Sequence, residues 1–316
     1  MVQYGIISKE VLKGKCKFQT LGKVNVLTVF FIMGGNSMNS RLILVEGIPG
    51  AGKTTTARKI KEKLIEEGKD VILYEEGVSH PADMAWNAYL SKEEYDDFIA
   101  KCSKVWENSS KNISKEELIN RINIQSRSED NNVILAYTKI DFPEVVYWSL
   151  IGDIASKEIC DGRKSLEEFT EIHLKRWSRF AKEALLTDTI YIFECAFLQN
   201  HIFELLGVYE KSDEEIYVHL KSLLETVKDL NPSIVYIEPS TVEDIIIKAA
   251  KERKSQDHSR PDWIEEIINW VKDTNFGKNH NLKGIEGVFS FCKERLRIDK
   301  LMIEKLDIPV TIIKRS

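Results

Sequence analysis

Eight consecutive residues, Gly47-Ile48-Pro49-Gly50-Ala51-Gly52-Lys53-Thr54, constrain this chain more than any others. They match G-x-x-x-x-G-K-[ST] at every fixed position. The apolar run Leu42-Ile43-Leu44-Val45 precedes them. An amphipathic stretch from Thr54 to Glu67 follows, with Ala57, Ile60 and Leu64 on one face and Gly68 as its stop. Strand, glycine-rich turn and helix in that order make a phosphate-binding loop. Its glycines let successive main-chain N–H groups face phosphate, and the helix N-terminus adds a favourable dipole. The pattern predicts that ATP sits on Gly47, Gly50, Ala51, Gly52, Lys53, Thr54 and Thr55. Lys53 would reach the β- and γ-phosphates, and the Thr54 hydroxyl would ligate Mg²⁺.

Short apolar runs alternate with long amphipathic ones through the rest of the chain. This predicts an α/β protein, a three-layer P-loop NTPase fold with a parallel five-stranded sheet and helices on both faces. The expected strands are Leu42–Val45, Val71–Tyr74, Ile190–Phe193, Ile234–Ile237 and Val310–Ile313. About 115 residues of mostly helical character separate the second strand from the third. Glu144–Cys160 and Ser165–Leu186 are the clearest helices there, and the polar stretch 91–132, free of glycine and proline, reads as helical too. Residues 38–316 are thus expected to form one domain with an enlarged helical substrate-side insertion at about 91–186.

A formal charge of −5 argues against binding nucleic acid through phosphate neutralisation. No apolar run approaches the ~18 residues of a membrane span. The five cysteines, Cys16, Cys102, Cys160, Cys195 and Cys292, include no C-x-x-C pair, which fits reduced thiols in a cytoplasmic protein. Residues 1–37 carry lysines ahead of the apolar run Val24–Met33, a pattern superficially like a signal peptide. A secreted ATP-dependent enzyme would lack its nucleotide, so the preferred reading is a dispensable extension or translated upstream DNA, with Met38 as the natural start.

Thr138-Lys139-Ile140-Asp141 matches a guanine-reading [NT]-K-x-D motif, but no glycine occurs between Gly77 and Gly152, so the D-x-x-G switch of GTPases is missing. A different likeness starts at Tyr74-Glu75-Glu76-Gly77 and runs to Trp86. Here the chain resembles the deoxynucleoside kinase and thymidylate kinase group, whose members end a strand in a catalytic Glu followed by a Trp. The resemblance implies Glu76 as the base, Glu75 as its reserve, and Trp86 at the substrate. Phe193-Glu194-Cys195-Ala196 is similar to the E-R-S strand end of that group. Glu194 matches the acid and is implied as a Mg²⁺ ligand, while the arginine is absent. Lys248, Lys251, Arg253 and Lys254 resemble the group's lid, placed at about 248–260, with Arg253 preferred for the transferring phosphoryl group.

Arg163, in the Asp161-Gly162-Arg163 turn, and Arg176, on one helical face with His173 and Trp177, are further substrate candidates. FECAFLQN and the DGR turn are also similar to a bacterial branch of kinase-like proteins. The expected activity is ATP-dependent transfer of phosphate to a nucleoside- or nucleotide-like small molecule. The alternatives are a kinase of another metabolite or antibiotic, and a regulatory P-loop ATPase without acceptor. The expected partner is the small-molecule acceptor, with neither nucleic acid nor membrane; a homodimer stays open beside a monomer.

Overall fold

Leu42 to Glu46 forms a strand whose five side chains are all buried, the mark of a parallel strand covered on both faces. The computed structural model describes residues 4–10, 17–21, 40–108, 113–254 and 261–315. Along it, β1 (Tyr4–Glu10) and β2 (Lys17–Leu21) precede β3 (Leu42–Glu46), the glycine-rich loop, α1 (Lys53–Glu66) and β4 (Val71–Tyr74). Then come β5 (Ala88–Ser91), α2 (Lys92–Glu107), α3 (Lys115–Ile124), β6 (Ser126–Glu129), β7 (Asn132–Leu135), α4 (Glu144–Ala155) and α5 (Leu166–Ala184). The last part runs β8 (Ile190–Glu194), α6 (Leu198–Ile202), α7 (Asp213–Val227), β9 (Ser233–Glu238), α8 (Val242–Glu252), α9 (Trp263–Asp273), α10 (Asn275–Asn279), α11 (Gly284–Lys305) and β10 (Val310–Arg315).

The chain divides into two compact units, residues 1–74 with 177–316, and Glu75–Arg176. The first holds a sheet of order β2-β1-β10-β9-β3-β8-β4. Strands β10, β9, β3, β8 and β4 are parallel, with Leu44 opposite both Phe193 and Ile234. These five strands lie where the sequence predicts them, because each is a short, largely apolar and β-branched or aromatic run, too short for a buried helix. Strand β1 pairs antiparallel with β10 and with β2. The rest of the 1–37 extension lies outside the described residues. Trp177, fully buried, anchors the aromatic core, with ring centroids 6.0 Å from those of both Phe193 and Phe197.

The second unit differs from the helical insertion expected. It contains a three-stranded antiparallel sheet of order β5-β7-β6. Each of its strands has four residues, and β6 reads Ser-Arg-Ser-Glu, so no apolar alternation announces it. Ser91 ends β5 and also caps α2: its hydroxyl accepts from the Glu94 amide, and Glu94 accepts from the Ser91 amide. That reciprocal pair satisfies two orphan donors and forces the strand-to-helix change. The sheet and α2 to α4 enclose a separate apolar core around Leu90, Phe98, Cys102, Leu118, Leu135 and Leu150. The Thr138-Lys139 match sits here in a short 3₁₀ turn, Tyr137–Lys139. Among the described residues no helix is long and apolar enough to cross a membrane.

Candidate functional site

Strand β3 delivers the chain into the glycine-rich loop at the carboxyl end of the sheet, the side where open α/β sheets bind ligands. Two glycines there are required by geometry. Gly47 has φ 149°, and a Cβ on it would lie 2.8 Å from the Ile237 carbonyl oxygen. Gly50 has φ 81°, and its Cβ would lie 2.8 Å from Ala249 Cβ on α8. Helix α8 therefore packs directly on the loop. The loop turns through an Ala51 N–H donating to the Ile48 carbonyl, 3.2 Å, and Gly52 starts α1 with a left-handed backbone.

Lys53 and Thr54 open α1. The Lys53 ammonium is mostly buried and donates to the Ile48 carbonyl at 2.9 Å, so it lies back on the loop. The Thr54 hydroxyl donates to Glu194 Oε1 at 2.5 Å. Glu194, the last residue of β8, is buried, and Thr55 is exposed. Cys195 follows with φ 67°, a left-handed backbone rare for a residue with a Cβ. Its N–H donates to the Val45 carbonyl at 3.2 Å, which holds the turn against β3.

Glu46 stands just ahead of the loop motif and belongs to none of the motifs in the sequence. It is fully buried, and each of its oxygens accepts a main-chain N–H from the turn after β8: Phe197 to Oε1 at 2.8 Å and Gln199 to Oε2 at 2.9 Å. Burial pushes its carboxyl up to about 7 from the ordinary 4.5, opposed by the two amides and by the Arg295 and Lys53 charges. Arg295 itself is fully buried on α11. Its Nε donates to Asp299 Oδ1 at 3.2 Å, and Asp299 Oδ2 accepts from the Tyr236 hydroxyl at 2.7 Å. The one signal in the sequence was a charged residue ending a strand that is otherwise all apolar.

The basic residues expected over the loop fall on and after α8. Lys248 lies 3.7 Å from Glu252, Lys251 is exposed, and the Arg253 guanidinium lies 4.8 Å from the centre of the Trp263 ring. Residues 255–260 of the expected lid lie outside the described residues.

In the second unit, Glu75 and Glu76 are partly exposed, and Glu76 Oε1 accepts from Trp86 Nε1 at 3.4 Å. Trp86 is 51 % exposed with φ 60°, an uncommon backbone for so large a side chain. The segment carrying both is pinned from within. His80 Nδ1 accepts from the Ala82 and Asp83 amides, and the Asn87 side chain donates to the Val78 and Ala85 carbonyls. Arg176 completes this frame, a correction to its expected substrate role. It is 2 % exposed, binds Glu129 through two bonds of 3.1 Å, and donates to the Asp83 and His80 carbonyls at 2.8 and 2.6 Å. Arg163 bonds Glu158 and Asp161, both at 3.0 Å.

The donor set of the first unit fits a magnesium nucleotide: an ammonium, a hydroxyl and a carboxylate beside a loop of glycine amides. Among the described residues no three His, Cys, Asp or Glu side chains come together for a metal. A cation here would be held by Thr54, Glu194, phosphate oxygens and water, as Mg²⁺ commonly is. No curated protein matches the chain. Residues 41–120, about a quarter of it, match the family model described as "Chromatin associated protein KTI12".

Proposed function

We propose that this chain is an ATP-dependent phosphotransferase acting on a hydroxyl or phosphate of a nucleoside- or nucleotide-like small molecule. The observation that carries this reading is the Thr54–Glu194 bond beside Lys53, at the carboxyl ends of β3 and β8. Thr54 and Glu194 hold the cation, Lys53 the phosphate oxygens, and the loop amides the remaining charge. Magnesium, when bound, offsets phosphate charge and orients the nucleotide. Glu76 serves as base, with Glu75 in reserve, Trp86 and Arg163 meet the acceptor, and Arg253 and Lys251 face the transferring group. These last roles rest on the resemblance to deoxynucleoside and thymidylate kinases. Cys195 and Ala196 in place of the E-R-S arginine keep a non-nucleoside metabolite or antibiotic as an alternative acceptor.

A regulatory P-loop ATPase is the second reading, favoured by the match of residues 41–120 to the chromatin associated KTI12 family. Under it the chain hydrolyses nucleotide without an acceptor and acts on a protein partner. One assay separates the two: ADP release with Mg²⁺ against a panel of nucleosides, nucleotides, sugars and aminoglycosides, with Lys53→Ala as blank. Acceptor-dependent release supports the kinase. Acceptor-independent release supports the ATPase, and no release together with no nucleotide binding sinks both.

A further inference from the structure

We propose that Glu46 is a positioning residue for the magnesium nucleotide: it clamps the turn after β8 and so holds Glu194 against Thr54. This rests on the nucleotide-binding reading above. A carboxylate ending the central strand, with no exposure at all, is costly to bury unless both oxygens are engaged. Its two acceptors are spent on main-chain amides, Phe197 and Gln199, more than a hundred residues downstream. Those amides belong to the turn that leaves Glu194, three and five residues past it.

That turn has reason to need a clamp. Cys195 holds a left-handed backbone at φ 67°, a conformation that persists only where the surroundings over-determine it. The Val45 carbonyl fixes one side of the turn through the Cys195 amide, and Glu46, the next residue of β3, fixes the other. Consecutive residues of the strand that enters the phosphate loop therefore grip both sides of the strand end that carries Glu194. The Arg295 guanidinium, buried with no partner for either terminal nitrogen, supplies positive charge that favours an ionised Glu46. The chain of contacts runs from Glu46 through two amides to the Cys195 turn, then to Glu194 and the Thr54 hydroxyl. Glu46 itself engages the turn and not the phosphate loop, so its effect should show in how well the cation is held, not in how the loop binds phosphate.

The test is nucleotide affinity by titration calorimetry, with ATP in Mg²⁺ and with ATP in EDTA, on wild type and Glu46→Gln. A glutamine keeps one acceptor oxygen and presents an NH₂ group to the second amide. Affinity in Mg²⁺ is expected to fall about tenfold, the usual scale for removing a group that orients a metal ligand. Affinity in EDTA should change less than about twofold, so the gain that magnesium confers collapses. An equal loss in both conditions, or no loss in either, overturns the proposal and leaves Glu46 a structural residue. Glu46→Asp, which keeps the charge but shortens the reach, is the companion variant should Glu46→Gln fold poorly, and the same one-sided loss is expected. A wild-type protein that binds ATP in neither condition sinks the nucleotide reading itself, a result distinct from both.

Discussion

Arg176 and Glu129 face each other through two bonds of 3.1 Å, Nε to Oε2 and Nη2 to Oε1, with both side chains buried. The pair ties α5 to the end of β6. Removing the guanidinium strands a buried carboxylate and also frees the His80 and Asp83 carbonyls. Arg176→Ala should therefore cost about 3 kcal/mol, the low end for breaking a buried pair, because Arg127 remains 3.5 Å from the same carboxylate. Urea unfolding measures it. A loss under about 1 kcal/mol would mean that Arg176 is not the frame's anchor and is free for a substrate.

Lys53→Ala should lower ATP affinity at least tenfold, about 1.4 kcal/mol, while the far-UV circular dichroism spectrum stays as in wild type. The reason is that its ammonium lies on the loop, bonded to the Ile48 carbonyl. Unchanged affinity in the titration would remove the loop from the function.

Gly50→Ala meets two obstacles at once: a φ of 81° and an Ala249 Cβ 2.8 Å from the new methyl. Helix α8 must shift, at a cost of about 1–3 kcal/mol. Thermal unfolding should show it, and a melting temperature equal to wild type would mean that α8 does not rest on the loop.

Cys195 permits a cleaner test of strain. Both Cys195→Ala and Cys195→Gly remove the buried sulfur, but only glycine accepts φ 67° without penalty. Glycine should exceed alanine in stability by about 1 kcal/mol, although glycine ordinarily loses to alanine on entropy. The reverse order in urea unfolding would show the turn to be unstrained.

His219 sets a pH dependence. Burial pulls it down from 6.5 to about 4, and its Nε2 lies 2.9 Å from His201 Nδ1, a bond that needs one acceptor nitrogen. A group whose folded pKa is depressed adds stability above its unfolded pKa. That stability drains as pH falls, so between pH 6.5 and 4 the unfolded chain binds the extra proton. Each unit in that window should cost roughly 1 kcal/mol. Subtracting the same urea series for His219→Gln isolates this slope, and identical slopes in the two proteins would refute the assignment.

Much of this was legible in the sequence, for definite reasons. The five parallel strands are short, largely apolar runs, and the loop has fixed glycine positions between strand and helix, so local pattern sufficed for Leu42–Val45 and for the turn that follows it. What escaped depends on distant partners. Ser126–Glu129 is polar, and pairing with Asn132–Leu135, not composition, makes it a strand. Arg176 reads in the sequence as a helix-face cation, and only the fold brings Glu129, His80 and Asp83 around it. Glu46 carried a role visible only once Phe197 and Gln199 lay beside it.

The strand order also sets a timetable for synthesis. Leu42 pairs with Tyr191, and Ile43 with Ser233, so the central strand leaves the ribosome long before either neighbour exists. At ordinary translation rates of about 5–20 residues per second, the wait for β8 alone is on the order of ten seconds. Throughout it a strand that is apolar except for its last residue has no partner from its own sheet, while β6 and β7, two residues apart, can pair at once. The glycine-rich loop is thus encoded early and assembled late, and during that interval the apolar face of β3 is of the kind that makes unpaired strands prone to aggregate.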